Sequence, residues 1–344
     1  MKKKVVFTSE KGDEFLKAHK PSNVKSHNLK ILRETLQQET SFSSRELSDV
    51  TGLSVVSINK LLAELKETGE VIEVAETGVT GGRRAAVYQY NPNFKQMFIL
   101  QISEENSTIV GKLFVSNLLG ETVEKKTLET QELTFEKLKL ILQQMLEKYP
   151  ATQLLVFGIP GEELEGKFQI MDFAPWYNLE FRQLIQEAFS LDVIIENDIN
   201  AATLGYSLQQ LEGEILVSLY YPEQSPPGAG IVFNGEIFRG RHGLSGEVKH
   251  LPLEHQMTFP KELSALEKQV EEVLQTIISM YDPYQIVLYT TISSFSTETL
   301  QMICERLSKV FPYFTLPEIH LADTFQKDYF NGLVHLGLKN LAAK

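Results

Sequence analysis

Two polar segments about fifty residues apart, separated by a glycine-rich stretch, constrain the fold of this chain more than any other feature. The first ends an apolar strand and reads Glu196-Asn197-Asp198, and the second reads Gly246-Glu247-Val248-Lys249-His250. Residues 228–235 between them predict two short strands joined by a turn. If these segments converge on one cleft, their amide, carboxylate and imidazole groups can hydrogen-bond several hydroxyls in fixed directions, as a sugar requires. An aspartate among them could also accept a proton from a hydroxyl.

Length and composition predict a globular chain of more than one domain. The 344 residues exceed one ordinary core, and 42% hydrophobic with 23% charged residues is typical of soluble proteins. We find no apolar run near the roughly 20 residues that cross a bilayer, and the lysine-rich start lacks the apolar core of a secretory signal. The single cysteine, Cys304, excludes an internal disulfide and a cysteine-based zinc cluster. We therefore expect a cytoplasmic protein without membrane contact, metal or cofactor.

The net charge of −12 is unevenly distributed. Residues 1–92 contain 14 Lys and Arg against 12 Asp and Glu, whereas the remainder contains 19 against 33. An acidic body argues against nucleic-acid binding over the whole surface. A slightly basic head is compatible with DNA contact confined to residues 1–92.

The head, residues 1–92, has the pattern of a helix-turn-helix. A first helix is predicted from Asn28 to Leu36, and Ser43 or Ser44 can cap a second, with Leu47 and Val50 facing inward. A third helix runs from a Ser54 cap to about Thr68, and one face carries an apolar stripe: Val55, Ile58, Leu61, Leu62 and Leu65. The polar start of this helix offers groups for a major groove. The candidate DNA contacts there are Ser54, Val56, Ser57, Asn59 and Lys60.

A hairpin follows the third helix and resembles the wing of a winged helix. Residues 71–74 and 86–90 predict its strands, and a glycine-rich turn between them ends in Arg83 and Arg84, which suit a narrow minor groove. The alternative is that three short helices and a hairpin form a packing or dimerisation module with solvated arginines.

The body, residues 93–344, alternates strands and helices and predicts an α/β fold. Its predicted helices include one from about Phe135 to Lys148, one from Ala201 to Gln210 and a last one from about Asn331. Its motifs resemble those of the ROK family (repressors, open reading frames and sugar kinases), in the regulator branch that carries a winged helix. The segments that match in order are Gly-x-Pro-Gly at 158–161, Asn-Asp-x-Asn-Ala-Ala at 197–202, Arg-Gly-x-His-Gly at 239–243 and Gly-Glu-x-x-His at 246–250.

The resemblance implies an actin-like, ribonuclease H-like body of two lobes around a sugar cleft. It also implies sugar contacts from Asn197, Asp198, Glu247 and His250, with Asp198 at the general-base position of the kinases. The plainer interpretation is that the Asn-Asp pair caps the next helix and that His250 is a structural hydrogen-bonding residue.

Three nucleotide-binding elements of the family's kinases are altered. Gln101-Ile102-Ser103-Glu104-Glu105-Asn106 stands where an Asp-x-Gly-Gly-Thr turn is expected, and Gln224-Ser225-Pro226-Pro227 where a glycine-rich phosphate loop is expected. Carboxylates repel phosphate, and proline has no amide to donate. Tyr289-Thr290-Thr291 replaces a Gly-Gly pair, and residues 251–262 lack the family's zinc-binding cysteines.

These patterns predict a sugar-responsive transcriptional repressor that does not phosphorylate its sugar. Its expected partners are a double-stranded DNA operator, a sugar or sugar-phosphate effector, and a second copy in a homodimer or higher homo-oligomer. One alternative is an active ATP-dependent sugar kinase with an added DNA-binding head. Another is a DNA-binding regulator whose body docks a protein instead of a sugar.

Overall fold

The structure is a computed structural model that describes residues 21–38, 41–74, 86–105, 108–171, 173–210, 214–223, 225–253 and 262–342. The chain divides into two compact units, Met1–Pro92 and Asn93–Lys344.

The first unit combines three helices with a small antiparallel sheet. Strand β3 lies between β1 and β2, so the sheet order is β1-β3-β2. This order of elements is that of winged-helix modules. In chain order the elements are α1 (Pro21–Leu36), β1 (Phe42–Ser43), α2 (Ser44–Thr51), α3 (Val55–Glu67), β2 (Val71–Val74) and β3 (Val87–Tyr90).

Local capping fixes the second and third helices of this unit. Ser43 forms a capping box with Glu46 at the start of α2, and Gly52 ends α2 in the left-handed conformation with a φ of 72°. Ser54 caps α3 as predicted, since its side chain accepts a hydrogen bond from the amide of Ser57. The inward faces were predicted only in part: Leu47 is buried, whereas Val50 is 61% exposed and Val55 is 42% exposed.

The second unit is built on two five-stranded sheets of the same topology. The first has the order β10-β7-β4-β5-β6 and the second β13-β12-β11-β14-β15, so each sheet pairs an antiparallel meander of three strands with two parallel strands. The bounds, with the β8–β9 hairpin, are β4 (Gln96–Glu105), β5 (Thr108–Asn117), β6 (Thr122–Leu128), α4 (Phe135–Lys148), β7 (Thr152–Ile159), β8 (Gly161–Leu164), β9 (Lys167–Met171), α5 (Phe181–Phe189), β10 (Asp192–Asn197), α6 (Asp198–Ser207), β11 (Ile215–Tyr221), β12 (Gly228–Phe233), β13 (Glu236–Ile237), α7 (Leu263–Tyr281), β14 (Gln285–Thr290), α8 (Thr297–Val310), β15 (Glu318–Ala322) and α9 (Phe325–Ala342). The prediction of an α/β body with two duplicated lobes is confirmed.

Each lobe has its own core, and a third core joins them. The joining core contains α6 and α9 together with side chains from both sheets, among them Ile99, Val287 and Tyr329. Helices α6 and α9 approach each other at glycines, since a Cβ on Gly205 would lie 1.8 Å from the carbonyl oxygen of Asp328. The helix that follows the Asn-Asp pair is therefore held between the two lobes.

Two predicted helix boundaries in the body were wrong, and one hairpin was missed. The helix after the Asn-Asp pair begins at Asp198 rather than Ala201, because Asn197 caps it. The last helix begins at Phe325 instead of about Asn331, because its first turns are buried between the lobes. The β8–β9 hairpin was not predicted at all, and it brings Glu162 to the cleft described below.

Candidate functional site

A cleft opens to solvent between the two lobes of the second unit. Its walls come from the ends of β4, β10 and β11, the starts of β5, β8 and α6, the loop before β12 and residues 245–249. The lining residues are Glu104, Ile109, Pro160, Gly161, Glu162, Asn197, Asp198, Ile199, Asn200, Tyr220, Pro222, Ser225, Pro226, Pro227, Gly228, Ala229, Ser245, Gly246, Glu247 and Lys249.

The junction of β10 and α6 forms one wall. Asn197 caps α6: its Oδ1 accepts hydrogen bonds from the amides of Ile199 at 3.1 Å and Asn200 at 3.2 Å. Its Nδ2 donates to the carbonyl of Gly161 at 3.3 Å, which ties the junction to β8. Asp198 is 9% exposed, and its Oδ1 accepts from the Ile199 amide at 2.7 Å. The capping interpretation of the Asn-Asp pair is therefore correct for Asn197, and both residues also line the cleft.

An ion pair between a buried glutamate and an exposed arginine lies behind that wall. Arg239, in the loop after β13, donates to the carboxylate of Glu196. Burial raises the pKa of Glu196, and Arg239 opposes that rise. Because Glu196 directly precedes Asn197, the Arg239–Glu196 ion pair connects the second lobe to the end of β10, where Asn197 and Asp198 follow.

Glu162 is a cleft residue that the sequence analysis missed. It receives a hydrogen bond of 3.4 Å from Nδ2 of Asn200. Burial, followed by the negative charges of Glu196, Glu247 and Asp198, raises the pKa of Glu162 to about 8. At pH 7 its carboxyl group is thus largely protonated and can donate a hydrogen bond. The sequence signal that could have pointed to Glu162 was its position directly after the Gly-x-Pro-Gly motif.

The segment 246–250 places only part of its motif in the cleft. Gly246 has a φ of 92°, and a Cβ there would meet the Ala229 carbonyl oxygen at 1.8 Å, so only glycine fits against β12. Glu247 lines the cleft and forms an ion pair of 3.1 Å with Lys249. His250 is exposed at the end of a short 3-10 helix and does not line the cleft. Of the four predicted sugar contacts, the structure thus brings together Asn197, Asp198 and Glu247.

Polar contacts within the chain also involve the altered segments 101–106, 224–227 and 289–291. Ser225 donates to Glu104 at 3.4 Å, which links the loop before β12 to the end of β4. Pro226 and Pro227 follow in the same loop and offer no amide. At the end of β14, the Thr290 hydroxyl donates to the carbonyl of Tyr221 at 2.8 Å.

Some buried polar atoms of the cleft residues have no hydrogen-bond partner among the described residues. They are the Tyr220 hydroxyl, the Oδ1 of Asn200 and the Ser245 hydroxyl. Tyr220 is 7% exposed and Asn200 is 3% exposed. Tyr220 was not singled out because it lies within an apolar strand, whereas Asn200 belongs to the motif at 197–202.

The candidate DNA contacts lie on the first unit. Val56 is 80% exposed, and Asn59 and Lys60 are exposed beside it on α3. Ser54 and Ser57 are bonded to each other, with 2.9 Å between their hydroxyl oxygens, so capping engages them already. Arg83 and Arg84 lie outside the described residues.

The described part of the chain contains no helix that is both long and apolar enough to span a membrane. Nor do its His, Cys, Asp and Glu residues gather in groups of three or more that could hold a metal ion.

Part of the body is similar to a known family. Residues 110–262 match the model of the ROK family. It is 26% identical over 244 residues to the xylose repressor of Caldicellulosiruptor bescii, covering 68% of this chain and 60% of that one. It is 26% identical over 242 residues to the DNA-binding transcriptional dual regulator NagC of Escherichia coli K12, covering 67% and 58%. The chain thus spans about 60% of the length of such relatives.

Solved structures show that this fold is shared by regulators and kinases. A ROK family transcriptional regulator described as a homologue of the E. coli MLC protein superposes with a TM-score of 0.58 at 17% identity, covering 92% of this chain and 99% of its own. The ROK hexokinase of Thermus thermophilus superposes with a TM-score of 0.55 at 18% identity, covering 71% of this chain and all of its own. The fold alone therefore does not separate a sensor from an enzyme.

Proposed function

We propose that this protein is a sugar-responsive transcriptional repressor. In this proposal the first unit binds operator DNA, and the cleft of the ROK domain senses a sugar without phosphorylating it. The names of the similar proteins, xylose repressor and NagC, support this assignment. The observation that carries it is the occurrence, in one chain, of a unit with the element order of a winged helix and of a cleft lined by Glu104, Ser225 and two prolines.

The exposed face of α3 has the chemistry of a base-reading surface. Asn59 can pair with the N6 and N7 edge of adenine, and the methyl groups of Val56 can contact a thymine methyl. Lys60 has no acidic partner within 4.0 Å among the described residues, so its charge is available for a phosphate. One winged helix makes few base contacts, which favours a homodimer on paired half-sites.

A selected operator tests the DNA-binding half of the proposal. The full chain would be used to enrich DNA duplexes from a random library. Binding of the most enriched duplex would then be measured by fluorescence anisotropy. Asn59→Ala should weaken binding by roughly tenfold or more, because a bidentate contact contributes about 1–3 kcal/mol. Glu67→Ala, at the far end of α3, is the matched control. Failure to enrich any duplex would contradict DNA binding.

The kinase alternative has specific support from Asp198, because this residue lines the cleft and the family resemblance assigns it to the general-base position of the kinases. The proposal excludes phosphoryl transfer because the loops that would cradle phosphate are replaced by Glu104 and the two prolines. Incubation with ATP, magnesium and a sugar panel should produce no ADP above the level without sugar. ADP production that is lost in Asp198→Asn would establish the kinase instead.

A further inference from the structure

We propose that the cleft takes an unphosphorylated sugar and rejects sugar phosphates. This inference rests on the proposed sensing function and deepens it, because the relatives and the fold leave the chemical class of the effector open. Three observations support it. Carboxyl groups line the cleft, its cations and backbone amides already bind other groups of the chain, and the polar atoms that lack a partner are neutral.

Carboxyl groups line the cleft on every side. Glu104 comes from the end of β4, Glu162 from β8, Asp198 from α6 and Glu247 from the segment after β13. The surrounding negative charges help to raise the pKa of Glu162 to about 8, although burial is the larger cause. A phosphate in the cleft would meet the same negative potential that opposes ionisation of Glu162.

The cations near the cleft are engaged by the chain itself. Among the described cleft-lining residues, Lys249 is the one Lys or Arg, and its Nζ lies 3.1 Å from the Glu247 carboxylate. Arg239 is paired with the buried Glu196. Recruiting either cation to a phosphate would leave a buried or half-buried carboxylate without its partner, which is costly.

The backbone amides that commonly bind phosphate are also engaged or missing. A helix N-terminus is a ready anion site, but at the start of α6 the amides of Ile199 and Asn200 already donate to the side chain of Asn197. Across the cleft, Pro226 and Pro227 have no amide hydrogen. The cleft therefore has neither the charge nor the amide cradle that a sugar phosphate requires.

The polar atoms left without partners are neutral and suit hydroxyl groups. The buried hydroxyl of Tyr220 can donate or accept, and the Oδ1 of Asn200 can accept. The Tyr220 ring stacks on Phe325 with 4.1 Å between centroids, which fixes the direction of its hydroxyl. Burying such groups without a partner is unfavourable, so a ligand with several hydroxyls would satisfy them.

Calorimetric titration of the full chain with matched pairs tests the inference. The pairs are glucose, mannose and N-acetylglucosamine, each with its 6-phosphate, and free xylose is added to the panel. At least one free sugar should bind, with any corresponding phosphate bound on the order of 100-fold more weakly. A phosphate that binds as tightly as its parent sugar would overturn the inference and leave sugar sensing intact. If no compound of either class bound, both sugar sensing and this inference would fail, while DNA binding would be unaffected.

Substitution of Tyr220 distinguishes a ligand contact from a structural residue. Tyr220→Phe removes a hydroxyl that has no partner among the described residues, so thermal stability should not fall, whereas affinity for the bound sugar should fall by roughly tenfold. The matched control is Tyr206→Phe, whose hydroxyl bonds His320 at 2.9 Å and is not among the cleft-lining groups. It should leave sugar affinity unchanged. Unchanged sugar affinity in Tyr220→Phe would remove Tyr220 from the site.

Discussion

The carboxyl groups in and behind the cleft differ in their partners. Glu196 has Arg239 and Glu247 has Lys249, whereas Glu162 is held by the amide of Asn200 at 3.4 Å. Arg239 lowers the pKa of Glu162, but burial and the nearby carboxylates outweigh it, so Glu162, unlike an exposed glutamate, keeps its proton at neutral pH. A protonated carboxyl group can donate a hydrogen bond to a sugar hydroxyl.

This difference predicts how stability depends on pH. The folded chain holds the pKa of Glu162 at about 8 against 4.5 for the exposed group, so between these values it binds a proton that the unfolded chain has lost. The contribution of Glu162 to stability is therefore complete below about pH 4.5 and decreases until about pH 8. Glu162→Gln, which is neutral at every pH, should lie within about 1 kcal/mol of the wild type at pH 5 and exceed it by on the order of 4–5 kcal/mol at pH 8.5.

Fluorescence of Trp176 gives the measurement, because this single tryptophan is fully buried in the core of the first lobe. Urea unfolding of both chains would be followed at pH 5, 7 and 8.5. Glu165→Gln makes the same charge change at the exposed turn of the β8–β9 hairpin and serves as the control. A stability difference that stays constant across this range would show that Glu162 is ionised in the folded chain.

At the level of helices and strands, the sequence predicts those bounds that depend on residues close together in the chain. The bounds of α4, Phe135–Lys148, follow from its apolar spacing, and those of α3 follow from the Ser54 cap. The β8–β9 hairpin has no comparable pattern, since its first strand, Gly161–Leu164, contains two glutamates and one apolar side chain.

Positions that depend on distant contacts were harder to predict. The start of α9 is set by packing between two sheets that lie far apart in sequence. His250 could be assigned from motif order alone, but whether it lines the cleft depends on the backbone path of residues 246–250. The fold was thus largely predictable, and the composition of the cleft only partly.

The crossing of α6 and α9 predicts a strong effect from one added methyl group. A Cβ on Gly332 would lie 1.9 Å from the carbonyl oxygen of Ala201, and backbone cannot move aside as a side chain can. Gly332→Ala should therefore destabilise the body by about 2 kcal/mol or more, although alanine ordinarily favours a helix by about 1 kcal/mol. Urea unfolding followed by Trp176 fluorescence measures this, with Lys327→Ala on the exposed face of α9 as control. A variant as stable as the wild type would contradict such close packing.

For the whole molecule, the proposed function requires that sugar and operator affect each other's binding equally. If the sugar weakens operator binding by some factor, thermodynamic linkage requires the operator to weaken sugar binding by the same factor, typically about 5- to 150-fold. Both constants can be measured on the full chain: operator affinity with and without saturating sugar, and sugar affinity with and without saturating operator.

The expected result for a repressor is weaker binding in both directions by matching factors. Tyr220→Phe provides an internal check, because higher sugar concentrations should restore operator release if the hydroxyl only contacts sugar. Asn59→Ala should lower operator affinity and leave the affinity for free sugar unchanged. Equal operator affinity with and without saturating sugar would contradict sugar-responsive repression, even if both ligands bound. Tighter binding in both directions would instead make the sugar a co-repressor, since the sign of the coupling determines whether the ligand releases or recruits DNA.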